Sequence, residues 1–135
     1  MPKYRDKMRL EKLSSTIGQV DELICYLVLE GYSDEIINDV IENGIEIFVS
    51  SWEESVEWIV KTPDDTEEYD HDIYPRTELF FVMQYASPEQ IDPFKDRIEK
   101  ADSMFRMATK EHAEFIRHMD KPDRAKHWWL FRYSS

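Results

Sequence analysis

The chain has 135 residues and a formal net charge of −12 at neutral pH. Its single cysteine excludes an internal disulfide, and three isolated glycines exclude a glycine-rich phosphate-binding loop. The composition, 41% apolar and 13% aromatic, is sufficient for a folded core, so we expect residues 1–135 to form a single domain.

The N-terminal part of the chain begins with a basic arm and continues into helical patterns. Residues 1–12 contain five bases and two acids. Apolar residues recur at helical spacing over 4–17 and again over 20–30, which predicts helices in both stretches. Ser33 has the position of an N-cap, with two acids in the following turn, and Gly44 is the expected end of that helix.

The middle of the chain leaves alternatives open. Ser51 and Glu54 have the spacing of a capping box, which predicts that a helix begins at Ser51. Residues 62–76 contain six acids and two prolines and are predicted to be a loop. Residues 45–49 are compatible with a short strand or with the start of the helix that contains Ser51, and residues 79–85 with a strand or a helix; as strands, the two runs would form a small two-stranded sheet.

The longest predicted helix covers residues 93–119 and starts with Asp92 and Pro93. Its apolar positions follow a heptad repeat that is interrupted only by a histidine, which predicts packing against another helix. The repeat consists of Phe94, Ile98, Ala101, Phe105, Ala108, His112, Phe115 and Met119. The sequence as a whole therefore predicts a mainly α, single-domain helical bundle, with an α+β fold as the alternative.

The C-terminal segment, residues 122–135, combines basic and aromatic side chains. Adjacent tryptophans on a helix point about 100° apart, so one face cannot bury both. Tryptophan is enriched at protein interfaces. We therefore expect Trp128 or Trp129 to contact another chain, and a helical arrangement would place Arg132 over Trp128 as a cation–π pair.

The distribution of charge is the strongest functional signal. Residues 13–94 contain twenty acids and two bases, whereas 1–12 and 95–135 each carry a net charge of +3. Duplex DNA carries one negative charge per roughly 1.7 Å of its axis, and carboxylates on rigid helices can imitate that charge. We therefore expect a nucleic-acid mimic that binds a basic, nucleic-acid-handling protein. The expected partner-binding residues are Asp34, Glu35, Asp39, Glu42, Glu46, Glu53, Glu54, Glu57, Trp128 and Trp129.

Two other functional classes remain open. In size and composition, although in no motif, the chain resembles small inhibitors carried by phages, which agrees with mimicry. The heptad helix at 93–119 and the aromatic tail instead suggest a homo-oligomeric structural or assembly protein, such as a virion or packaging component.

A third class is enzymatic. Glu54 and Glu57, followed by Glu67 and Asp70, resemble the ExxE…ExxD metal-binding pattern of the all-α nucleotide pyrophosphohydrolases. This resemblance implies Mg²⁺-dependent hydrolysis of a nucleotide. The two pairs are only nine residues apart, and the second pair falls in the predicted loop.

The remaining expectations are negative. We expect no catalytic residue, no metal and no cofactor, and no direct binding to nucleic acid, which the acidic segment would repel. Glu114 and His118 are expected to be a surface pair rather than metal ligands. The longest apolar run, Leu23–Leu29, is too short to cross a bilayer. The sequence thus favours a cytoplasmic protein without membrane binding, in the host cytoplasm if it is viral.

Overall fold

A computed structural model describes residues 21–62 and 69–134 of the chain. The helices are α1 (Glu22–Leu29), α2 (Asp34–Asn43), α3 (Glu46–Lys61), α4 (Tyr69–Tyr85), α5 (Pro88–Ile91) and α6 (Lys95–Ala108). Short 3₁₀ helices cover Asp92–Phe94 and Trp128–Phe131, and strands β1 (Thr109–Glu111) and β2 (Arg132–Ser134) pair antiparallel. The predicted mainly α fold is confirmed. The helix predicted within 4–17 lies outside the described residues.

Helix α3 lies at the centre of the fold, because it packs against both α4 and α6. Its buried face consists of Phe48, Val49, Trp52, Val56 and Ile59. The Trp52 ring lies 5.2 Å from the ring of Phe105 on α6, and both side chains are fully buried. Burial of side chains of this size supplies most of the hydrophobic stabilisation of a small domain.

The boundary between α2 and α3 only partly follows the prediction. Ser33 caps α2 as expected, since its hydroxyl accepts a hydrogen bond from the Ile36 N–H at 3.3 Å, and Gly44 ends the helix with φ of 70°. The helix that contains Ser51 begins at Glu46 rather than at the capping box, so the alternative in which residues 45–49 start this helix is correct from Glu46 on. The upstream start buries Ile45, Phe48 and Val49 in the core. This burial outweighs the capping box at Ser51.

Residues 69–76 are helical, so the loop predicted at 62–76 is wrong for that part; residues 63–68 are not described. Pro75 lies inside α4, where it removes one backbone donor. The helix nevertheless buries Tyr69, Ile73, Leu79 and Val82. Tertiary burial therefore overrides local propensity. The sheet between 45–49 and 79–85 is also excluded, since both stretches are helical apart from Ile45.

The predicted helix over 93–119 is correct only in its first half. Ser87 starts α5 with a complete capping box to Gln90, and a 3₁₀ turn leads into α6. Ile98, Ala101 and Phe105 are buried, as the heptad repeat requires, and α6 packs against α3 of the same chain. The helix ends at Ala108, and the rest of the repeat, His112, Phe115 and Met119, lies in the irregular segment after β1.

The end of α6 is explained by an arginine from β2. The Arg132 guanidinium donates hydrogen bonds to the carbonyl oxygens of Arg106 at 3.0 Å and Thr109 at 2.9 Å. The Thr109 hydroxyl donates to the Phe105 carbonyl at 2.7 Å. These donors satisfy carbonyls that a longer helix would have used, and a cation at this end is favoured by the helix dipole.

Candidate functional site

Helix α2 carries a row of carboxylates on one face. Glu35, Asp39 and Glu42 are separated by four and three residues, and together with Ile36 and Ile47 they line an open groove of about 380 Å³. Among residues 21–62 and 69–134, none of the three carboxylates forms an ion pair with a lysine or arginine. We call these three residues the α2 acidic row. Asp34 is also exposed, in the first turn of the same helix.

Two of the predicted binding residues on α3 are engaged within the chain instead. Arg97 of α6 contacts Glu53 through Nη2 at 2.5 Å and Nε at 3.1 Å, and its Nη1 donates to Glu46. The hydrogen bond from Arg97 lowers the pKa of Glu46, and the hydrogen bonds to Glu53 and Glu46 raise the pKa of Arg97. Glu46 and Glu53 thus join α3 to α6.

The other two acids on α3 differ from each other. Glu57 forms an ion pair with Lys61 one helical turn later, at 2.7 Å, and this hydrogen bond lowers the pKa of the Glu57 carboxyl. Its i, i+4 spacing could have been recognised in the sequence. Glu54 is exposed, and no basic side chain in the described part of the chain pairs with it.

The two tryptophans of the tail are used mainly inside the molecule. Trp129 has 0% exposure, and its indole N–H donates to the Thr77 hydroxyl at 2.8 Å. It therefore has no surface to offer a partner. Trp128 is half-buried with the guanidinium of Arg106 over its ring at 3.8 Å, so Arg106 takes the position expected for Arg132.

A buried ion pair, which sequence reasoning missed, lies beneath this tail. Arg76 is only 6% exposed and contacts Asp102 through Nε at 2.9 Å and Nη2 at 3.2 Å. The Trp52 indole N–H also donates to Asp102, at 2.9 Å. The Arg76 guanidinium lies 4.6 Å from the centre of the Trp129 ring. The pair connects α4, α6, α3 and the tail, and the sequence pattern, which predicts a loop at Arg76, does not reveal it.

A chain of hydrogen bonds orients His118. The Thr77 hydroxyl lies 2.7 Å from His118 Nδ1, and His118 Nε2 lies 2.8 Å from the Asp70 carbonyl oxygen. Because a carbonyl only accepts, Nε2 carries the proton and Nδ1 accepts from Thr77 in the neutral ring. Burial lowers the pKa of His118, although the contacts with Asp70 act in the opposite direction.

The acids of the hydrolase-like pattern are divided between two helices and a segment outside the described residues. Glu54 and Glu57 lie on α3, Asp70 lies on α4, and Glu67 is not described. In the described ranges, no three His, Cys, Asp or Glu side chains come together as metal ligands would. Nor does any helix there have the length and apolar character needed to cross a membrane.

Comparisons with protein families, with curated proteins and with solved structures found no match for this chain. A functional assignment therefore depends on the geometry and charge of the surface itself.

Proposed function

We propose that this protein is a non-enzymatic binding protein whose α2 acidic row occupies a basic groove on a nucleic-acid-handling protein. The observation that carries this proposal is the row itself. Glu35, Asp39 and Glu42 lie on one rigid helix beside an open groove, and none of them is neutralised by a base in the described part of the chain.

The spacing of the row supports imitation of a nucleic-acid strand. An α-helix rises about 1.5 Å per residue, so the row from Glu35 to Glu42 covers about 10 Å, with one charge per about 5 Å. One DNA strand carries a charge per about 3.4 Å of axis. The two densities are comparable, so lysines and arginines that bind phosphates could bind these carboxylates. The mechanism is occlusion of the groove, without any chemical step.

Charge reversal on α2 tests the proposal. The variant carries lysine at Glu35, Asp39 and Glu42, and the control carries lysine at the exposed Asp96, Glu99 and Asp120. Both variants change the net charge by the same amount. Each protein is immobilised, and captured nucleic-acid-binding proteins are eluted with duplex DNA of random sequence.

We expect the wild type and the control to capture a basic partner that DNA displaces, and the α2 variant to lose it. The complex should weaken with added salt, since the Debye length is about 8 Å at physiological ionic strength. Equal loss of capture in both variants would show that net charge alone explains the binding. Unchanged capture by the α2 variant would show that the α2 acidic row is not the binding site.

An exposed apolar patch supports self-assembly as a second candidate. Val60, Met104 and Met107 line a shallow groove of about 370 Å³, and Met107 is 88% exposed. The buried part of the heptad repeat packs inside the chain, so a contact between copies would use this outer face of α6 instead. Analytical sedimentation of the wild type and of Met107→Glu tests self-assembly. If the protein assembles, the wild type should be an oligomer, and the carboxylate introduced at position 107 should dissociate it. A monomeric wild type would reject this candidate.

A further inference from the structure

A second pocket, separate from the α2 acidic row, lies between α1 and α4. It has a volume of about 290 Å³, and four aromatic rings and two carboxylates line it. Its side chains are Tyr26, Glu30, Tyr32, Tyr74, Glu78 and Phe81. We call it the aromatic pocket. The volume is slightly below the roughly 300–1,000 Å³ of pockets for drug-sized ligands, so it suits a single side chain.

Helical spacing on two neighbouring elements builds the aromatic pocket. Tyr74, Glu78 and Phe81 follow one another in steps of four and three along α4, which places them on one face. The facing wall comes from Tyr26 on α1 and from Glu30, four residues later at the end of that helix.

A glycine and a hydrogen bond complete the wall. Gly31 has φ of 85°, a conformation that other residues rarely adopt, and it turns the chain after α1. The backbone N–H of Tyr32 then bonds to the Leu27 carbonyl at 3.0 Å. The Tyr32 hydroxyl donates to Glu78 at 2.6 Å, which holds the carboxylate of α4 beside the ring from the turn.

The electrostatic character of the pocket is negative. Burial is the largest cause that raises the pKa of Tyr26 to about 12, and the neighbouring Glu30, Tyr85, Tyr74 and Glu78 contribute the rest in that order. The pKa of Tyr32 is also raised, by burial and by its hydrogen bond to Glu78. Tyr74 is 50% exposed and Phe81 is 36% exposed, so ring surface is accessible to a ligand.

We propose that the aromatic pocket binds the alkylammonium head group of a lysine side chain from the basic partner. Aromatic faces attract cations through their quadrupoles, and the two carboxylates add a direct electrostatic attraction. A trimethylated ammonium should bind most tightly, because it is weakly hydrated and has no N–H group to satisfy. The inference rests on the proposed function, to which it adds an anchor residue on the partner.

The test uses a small probe and the full chain. The charged probe is N-acetyl-trimethyllysine methylamide, and the neutral probe has carbon in place of the ammonium nitrogen. Binding is followed by NMR, in which ring currents should shift the probe's methyl protons upfield. We expect about tenfold tighter binding of the charged probe. Equal affinity for both probes, or no binding of either, would overturn the proposal.

Paired variants locate the site. Phe81→Leu removes an exposed ring and Glu30→Gln removes a carboxylate, and each should weaken binding of the charged probe several-fold. The controls are Trp58→Leu and Glu54→Gln, which make the same kinds of change at exposed positions of α3, outside the pocket. The proposal would also be overturned if the control variants lost binding of the charged probe, or if the pocket variants kept it unchanged.

The two proposals can fail independently. Selective binding of the charged probe, combined with partner capture that survives the α2 charge reversal, would retain the pocket and reject the acidic-row function. Loss of capture on α2 reversal, combined with equal affinity for both probes, would do the opposite. If Phe81→Leu leaves partner capture unchanged although it weakens probe binding, the pocket binds cations but does not anchor this partner.

Discussion

The acidic helix α2 and the aromatic, basic tail both carry sequence signals of protein binding, but the structure uses them differently. The aromatic rings of the tail have cationic partners within the chain: Arg106 of α6 lies 3.8 Å from the Trp128 ring, and Arg124 lies 4.3 Å from the Phe131 ring. In the α2 acidic row, the described chain supplies no base for the three carboxylates.

This contrast shows how an interaction signal should be interpreted. A cluster of charged or aromatic residues stabilises the fold when the chain supplies the complementary groups, and it remains available to a partner when the chain does not. Changes in the tail and its supporting ion pair should therefore alter stability, whereas changes on α2 should alter binding.

The largest expected effect is on the ion pair below the tail. Asp102→Ala removes the acceptor of Arg76 and of the Trp52 indole, and leaves a buried guanidinium without a counter-charge. Breaking a buried pair in this way costs about 3–5 kcal/mol of unfolding free energy. Chemical denaturation would measure the loss.

Two further variants sharpen that measurement. Asp96→Ala removes an exposed acid from the same helix, and its effect should stay within about 0.5 kcal/mol. Replacing both members of the pair, with Arg76→Met and Asp102→Leu, should recover much of the stability, because no buried charge remains. A cost below about 1 kcal/mol for Asp102→Ala would show that the pair does not hold the tail.

The next effect concerns the end of α6. Arg132→Ala removes the donors to the Arg106 and Thr109 carbonyls, and hydrogen bonds from charged groups contribute about 1.5–3 kcal/mol. Lys110→Ala, an exposed cation on β1, is the matched control and should be nearly neutral. Thermal unfolding of both variants would decide whether the position of the cation matters. Equal melting temperatures for the two variants would contradict the role of Arg132 at the end of α6.

A smaller effect should appear on acidification. Burial lowers the pKa of His118 in the folded state, so the unfolded chain binds this proton more tightly. The stability contributed by neutral His118 is complete above the ordinary value of 6.5 and is lost as the pH falls through the window between that value and the lowered folded pKa.

The variant His118→Gln should lack this part of the pH dependence. Burial also lowers the pKa of His127, which therefore adds its own pH dependence to both proteins. The contribution of His118 is the difference in stability between wild type and variant at each pH. Urea unfolding of both proteins between about pH 7.5 and pH 5 gives the difference. Parallel stability curves for the two proteins would exclude His118 as the cause.

The smallest effect on stability should come from the α2 acidic row. Lysine at Glu35, Asp39 and Glu42 should change the unfolding free energy by less than about 0.5 kcal/mol per site, because surface substitutions rarely cost more. The variant should gain stability if repulsion between the acids is appreciable. A large loss would place these carboxylates among the structural acids, beside Glu46 and Glu53, and would remove the contrast with the tail.

Local sequence patterns predict structure reliably where the interactions that decide it are local. The Ser33 cap and the Gly44 stop each involve atoms within a few residues, and both were confirmed. The heptad repeat correctly identified the buried face of α6 at Ile98 and Phe105, because helical periodicity reports which side meets a core.

Errors arose where distant residues compete for the same backbone or charge. Arg132, more than twenty residues away, ends α6 by bonding to its last carbonyls, and Arg97 neutralises Glu46 and Glu53 from a helix about fifty residues away. The patterns around Thr109 or Glu53 could not predict either contact.

The sequence by itself determined the mainly helical fold, the segregation of charge and the two ends of α2, because these depend on composition, periodicity and short-range hydrogen bonds. The tertiary structure alone decided which acids have no base beside them among residues 21–62 and 69–134, that Trp129 is buried, and that Tyr26, Tyr74 and Phe81 surround one pocket. Those properties depend on which distant side chains meet, and that is fixed only when α1, α3, α4 and α6 pack together.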